Sequence, residues 1–141
     1  MEVKVRCLGG KKFEMKARQH QVLTDQPQDG DGSDTAMTPP ELFLSAIGAC
    51  AAFYAEEYLR VRGLPDEALE ICVSASKGDR PARITHLSIE VVAPGLTQRH
   101  RDGILRAVDA CLLKNTLNKP PEIEVKVVSS AAVEHPELAT V

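Results

Sequence analysis

The chain is 141 residues long, enough for one domain with a hydrophobic core and short of two comfortable ones. Hydrophobic residues make up 43% and charged residues 26%, an ordinary globular balance, and a net charge of −3 argues against a nucleic-acid partner, which needs clustered Lys and Arg. No apolar run reaches the length of a membrane span; the N-terminus Met1-Glu2-Val3-Lys4 alternates like a strand and lacks a signal-peptide core. The default is therefore a cytoplasmic location without membrane contact, where the 4 cysteines stay mostly reduced and any disulfide is transient or catalytic. With no C-x-x-C pair a zinc site has little support, and no metal or cofactor is expected.

Val3, Val5 and Cys7 alternate with Lys4 and Arg6, which predicts a half-buried strand. Gly9-Gly10 reads as a two-residue hairpin turn into a second strand carrying Phe13, Met15 and Ala17, and a short third strand is expected around Gln21 to Thr24. The stretch from Asp25 to Asp34 is acidic and Gly-rich. Its spaced Asp residues resemble a calcium loop, but the terminal Glu and entering helix of an EF-hand are missing, so a solvated loop is the better reading.

Thr38-Pro39-Pro40-Glu41 opens a helix: Thr38 can cap it, the prolines suit positions that miss no donor, and Glu41 completes a T-x-x-E capping box. From Leu42 to Ala55 only Ser45 and the Tyr54 phenol are clearly polar, and Gly63 followed by Pro65 gives the stop. This predicts one central helix from Thr38 to Arg62, apolar all round and hence packed by protein on every side. One small domain is too little to cover it, so a homodimer is expected.

Beyond it, Leu69, Ile71, Val73 and Ala75 alternate as a strand, Lys77 to Pro81 turns, and Ile84 to Val92 makes a longer strand. Leu87, Ile89 and Val91 are in phase and Ile84 is not, which suggests a bulge. A second helix is expected from Gln98 to Leu113, capped by Thr97, with Cys111 on its buried face. Asn118-Lys119-Pro120-Pro121 ends it, Ile123, Val125 and Val127 predict a last strand, and 129–141 reads as a loosely ordered tail of a single domain spanning 1–141. Antiparallel hairpins interleaved with helices make this an α+β fold.

The run T-P-P-E-L-F-L-S-A-I-G-A-C, ending on Cys50, resembles the T-P-x-E-L-L-L-x-A-x-G-x-C signature of the osmotically inducible protein C / organic hydroperoxide resistance (OsmC/Ohr) family. The segment C-L-L-K-N-T-L from Cys111 to Leu117 is similar to the second cysteine segment of its OsmC-like branch, C-x-V-x-N-T-L. The strand order and the Gly- and Asp-containing loop before the first motif agree as well. The resemblance implies antiparallel sheets around a long buried central helix, an intertwined homodimer, and a thiol-dependent peroxidase acting on organic hydroperoxides. Cys50 would then be the peroxidatic thiol and Cys111 the resolving one, with a thiol reductant as a further partner.

Each cysteine also has a plain structural reading, since Cys packs readily as a small hydrophobe; that reading stands for Cys7 and Cys72, which match no family position. A buried thiol needs a cation to lower its pKa, and the family uses an arginine held by the motif glutamate, here Glu41. The nine residues from Glu41 to Cys50 amount to roughly 13 Å along an unbroken helix and opposite sides of it. Either the helix bends near Gly48 or Glu41 serves a partner chain. No Arg occurs between Gln19 and Phe53, which leaves Arg18 as the nearest candidate cation, Arg6 as the weaker one and His20 as a substitute. The alternative function is a non-catalytic protein of the same fold that binds an apolar small molecule between chains.

Overall fold

The computed structural model describes residues 1–128; the expected tail, 129–141, lies outside them. The chain opens with β1 (Lys4–Gly9), β2 (Lys12–Ala17) and β3 (His20–Thr24), an antiparallel sheet in the order β1-β2-β3. Its first turn is one residue later than the Gly-Gly pair suggested. Gly10 and Lys11 carry φ of 56° and 69°, the two left-handed conformations that a tight hairpin turn requires. Cys7 faces Phe13, and Val5 faces Met15, which in turn faces Val22, giving the sheet one apolar face. Among the described residues that face is not covered: the sheet makes no substantial packing contact with the other elements, and β1, expected half-buried, is exposed throughout.

The acidic loop is organised from its base by one carboxylate. Asp25 is fully buried and accepts hydrogen bonds from the amides of Gln26 at 2.8 Å and Thr35 at 3.0 Å and from the Thr35 hydroxyl at 2.7 Å. The Ser33 amide adds a contact of 3.3 Å, and Lys12 Nζ lies 3.8 Å away. Burial pushes the Asp25 pKa up, but these donors outweigh it and hold the group at about 2.

Helix α1 (Pro39–Val61) runs unbroken, with Thr38 as N-cap and Arg62 as C-cap. Both arms of the capping box form: the Thr38 hydroxyl accepts from the Glu41 amide, and the Glu41 carboxylate accepts from the Thr38 amide at 2.7 Å. Ile47, Ala51, Ala55 and Leu59, spaced four apart, form the buried stripe. The expected burial on every side is not reached within one chain, because Phe43 and Phe53 stay 39% and 62% exposed. By length and composition alone α1 is long and apolar enough to span a bilayer, against the expectation from the sequence, with a mean hydropathy of 1.2; its buried stripe packs on protein.

The hairpin β4 (Glu70–Asp79) and β5 (Ala82–Val92) is longer than the sequence suggested, its strands growing into the expected turn. The bulge is present. Ser76 pairs with His86 and Lys77 with Ile84, so Thr85 is the extra residue, and its hydroxyl bonds Ser76 O at 3.2 Å. Gly48 lets α1 approach this hairpin, since a Cβ there would stand 3.1 Å from Val73 Cγ2. Helix α2 (Gln98–Asp109) then crosses α1, and Leu96, Ile104 and Val108 close the core over Ala51, Ala55 and Leu59.

Three expectations are corrected here. The second helix does not run on to Leu113. It stops at Ala110, Cys111 takes an extended ψ of 123°, and a separate α3 (Leu112–Asn118) begins with Cys111 as its N-cap. Thr97 does stand at the N-cap of α2, but its hydroxyl makes no capping bond. The last strand is not formed: Ile123, Val125 and Val127 are 82%, 84% and 98% exposed, and among the described residues no strand pairs with them.

Candidate functional site

The site joins the middle of α1 to the break between α2 and α3. Cys50 faces outward from the buried stripe of α1 and is half-buried; Cys111, at the break, is fully buried. The Cys50 side chain is near enough to act on the Cys111 thiol, and both are reduced. The break makes this possible. As a residue of a continuous helix, Cys111 would have lain on the regular face of α2; as a cap its side chain is set apart from the helix body and close to Cys50. Burial, chiefly, pushes the Cys111 thiol above its ordinary value, and the neighbouring Cys50 adds to this. The amides of Lys114 and Leu113, at the start of α3, pull the other way and do not cancel it.

The other expected members are not brought to these sulfurs within the chain. Glu41 is spent on Thr38, and its carboxyl is held below the usual range by the Thr38 amide first and then the Thr38 hydroxyl, helped by the charge of Lys77. Because α1 is unbroken, the bend near Gly48 that would have brought it to Cys50 does not occur. Arg18 stands exposed in the β2–β3 turn at φ 54°, without a hydrogen bond or ion pair to either cysteine. Arg6 is tied to Glu14 at 3.0 Å, and exposed His20 opens β3. Cys7 and Cys72, read as packed strand thiols, are exposed instead. Among the described residues no cluster of His, Cys, Asp and Glu is placed to hold a metal ion.

Sequence reasoning missed a cavity on α1 next to the turn that carries Cys50. About 570 Å³ of space lies between α1 and β4, lined by Leu44, Gly48, Ala52, Leu69, Ile71 and Val73, with Glu41 at its edge. The small residues at 48, 49 and 52 were the available signal, hidden by their equal fitness for close helix packing.

This is an α+β protein built on a capped central helix that presents one thiol to another at a helix break. The family model for OsmC-like protein matches residues 30–126, and the chain belongs to that family. No curated protein matches it. Among solved structures it is similar to an osmotic-stress-induced and detoxification response protein from Psychrobacter arcticus, at 17% identity and a TM-score of 0.73 over 81% of this chain and 85% of that one. An OsmC-like protein from Mycoplasma pneumoniae superposes at a TM-score of 0.68 with 18% identity, covering 83% and 86% of the two chains. An organic hydroperoxide resistance protein of Bacillus subtilis does so at 0.56 with 20% identity, covering 82% and 90%. At these identities the likeness is one of fold.

Proposed function

We propose that the protein is a cytoplasmic, thiol-dependent peroxidase that reduces small organic hydroperoxides. The observation that carries this reading is the pairing of two reduced thiols as neighbours, Cys50 on α1 and Cys111 at the break between α2 and α3. The Cys50 thiolate attacks the outer peroxide oxygen, the O–O bond breaks, and the alkoxide leaves as an alcohol after taking a proton. Cys50 is then a sulfenic acid. Cys111 attacks its sulfur, water departs and a Cys50–Cys111 disulfide closes; two thiols of a reductant reopen it and end as a disulfide themselves.

The exposed apolar faces of α1 and of the β1–β3 sheet fit a homodimer in which that sheet covers the second copy. Arg18 would then be carried to the second copy's thiol, and Glu41, too far along α1 to serve its own Cys50, would orient that guanidinium. The cavity against Gly48 would receive the apolar part of the peroxide.

The test is to treat the protein with cumene hydroperoxide and map disulfides by non-reducing peptide mass spectrometry. The Cys50–Cys111 peptide is expected, Cys50→Ser abolishes turnover, and Cys111→Ser oxidises once and stalls. Full recovery of free thiols would sink the peroxidase. The second reading, a binding protein for an apolar small molecule, would then remain, favoured by the same cavity and by the lack, among the described residues, of a cation acting on the Cys111 thiol.

A further inference from the structure

The far end of α1 carries a second constellation, unrelated to the thiols. A cavity of about 600 Å³ opens between the last turns of α1 and the outer face of α2, lined by Tyr58, Arg62, Arg99, His100, Gly103 and Arg106. Its geometry is built. The Tyr58 phenol oxygen lies 3.3 Å from His100 Nδ1, and the Arg62 guanidinium sits over the Tyr58 ring, 3.8 Å from its centroid. Arg62 is fixed further by a 3.2 Å hydrogen bond from Nη1 to Tyr58 O. Gly103 is what admits the phenol, because a Cβ at that position would overlap the Tyr58 hydroxyl.

Among the described residues no carboxylate lines this cavity. The acids nearest in sequence are engaged elsewhere: Asp102 accepts from Gln98 at 2.8 Å, Asp109 pairs with Lys114 at 2.6 Å, and Glu57 with Arg60. Among the described residues neither Arg99 nor Arg106 has an ion-pair partner. Arg99 and His100 also stand in the first turn of α2, which holds no acidic residue, where the helix dipole disfavours a cation. Stability does not account for this arrangement. Three arginines, a phenol and an imidazole lining one cavity with no acidic residue among its lining supply the donor set of a multiply charged oxyanion site, and Arg suits the paired oxygens of phosphate. The volume exceeds a single phosphate and falls in the range of small-molecule pockets, while the chain's net charge of −3 disfavours a nucleic acid.

We propose that Arg62, Arg99 and Arg106, with Tyr58 and His100, bind a small molecule bearing two or more phosphates, at a site separate from the thiol pair. The probe is inorganic pyrophosphate, titrated calorimetrically into the full chain at an ionic strength of about 0.15 M, where diffuse attraction is largely screened. One site per chain is expected, with orthophosphate several-fold weaker. The doubly substituted Arg99→Gln, Arg106→Gln protein, altered only at exposed side chains, should bind about tenfold or more weakly, with an unchanged circular dichroism spectrum. Arg62→Lys, which keeps the charge and loses the stacked fork, should weaken binding several-fold. Arg83→Gln, at an exposed arginine of β5, should match the unaltered protein. Absence of pyrophosphate binding, equal binding by the double variant, an equal loss from Arg83→Gln, or orthophosphate binding as tightly as pyrophosphate would each overturn the proposal. So would an oligonucleotide that binds more tightly than pyrophosphate and loses that binding in the double variant.

Discussion

Cys50 and Cys111 meet at the point where α2 ends and α3 begins, and the two are unequally placed: Cys50 is half-buried, Cys111 entirely so. Reactivity should follow that difference. Under a small alkylating reagent at neutral pH, exposed Cys7 and Cys72 are expected to label first, Cys50 next and Cys111 last, read by peptide mass spectrometry over a time course. Labelling of Cys111 before Cys50 would reverse the roles assigned to them.

The same burial sets a pH dependence. The folded state holds the Cys111 pKa above its ordinary value of 9.0, so the unfolded chain loses this proton first as pH rises. The contribution of the neutral thiol to stability is complete below pH 9.0 and is lost as pH climbs through the raised folded value. Cys111→Ala should flatten this alkaline decline in thermal melts, whatever it does to stability at neutral pH.

Asp25 works in the opposite sense. Its pKa falls from 3.8 to about 2 on folding, so its contribution is complete above 3.8 and disappears as pH drops towards 2. Asp25→Asn keeps the size but offers an amide nitrogen to a site built of donors, and it loses the Lys12 ion pair. The acid-unfolding midpoint, followed by circular dichroism, should move to higher pH. An unchanged midpoint would show that the loop from Asp25 to Met37 is held by its backbone bonds alone.

The capping box separates two roles for Glu41. Thr38→Ala should cost about 1 kcal/mol of stability, the usual worth of a lost N-cap. Glu41→Gln retains an acceptor for the Thr38 amide and should cost less. If Glu41 also orients an arginine over a thiol, the Gln variant will be slower in Cys50 oxidation by cumene hydroperoxide while its melting temperature barely moves. Equal oxidation rates would leave Glu41 a cap and nothing more.

How much of this was legible depended on whether the cause was local. The start of α1 was readable because Thr38, two prolines and Glu41 act on one another within a single turn. The bulge at Thr85 was readable because a bulge must throw the apolar alternation out of phase. The break before Cys111 was not, since Ala110-Cys111-Leu112 contains no Gly or Pro and is fixed by tertiary contact with α1. The burial of Asp25 was equally hidden: an Asp in an acidic, Gly-rich loop reads as solvated until Ser33 and Thr35 fold back over it. The resemblance found the two cysteines, and the fold then placed them together while leaving Arg18 and Glu41 apart from them.

The unformed strand near the end of the described chain gives the last prediction. Ile123, Val125 and Val127 keep the alternation of a strand, yet they are 82%, 84% and 98% exposed, and the apolar face of the β1–β3 sheet is uncovered in the same chain. Phe53 adds an exposed ring on α1. Apolar strands with open hydrogen-bonding edges seek a neighbour, and another copy of this chain offers such edges. The expectation is a homodimer in which residues 122–128 pair with a sheet edge of the second copy. Sedimentation equilibrium at micromolar concentration should give twice the 15.3 kDa chain mass. Hydrogen exchange should show the amides of 122–128 protected to about the degree of those in β4. Val125→Pro removes one ladder donor from the middle of the segment and should shift the equilibrium towards monomer. A stable monomer, or amides of 122–128 exchanging as fast as an unfolded peptide, would refute the pairing.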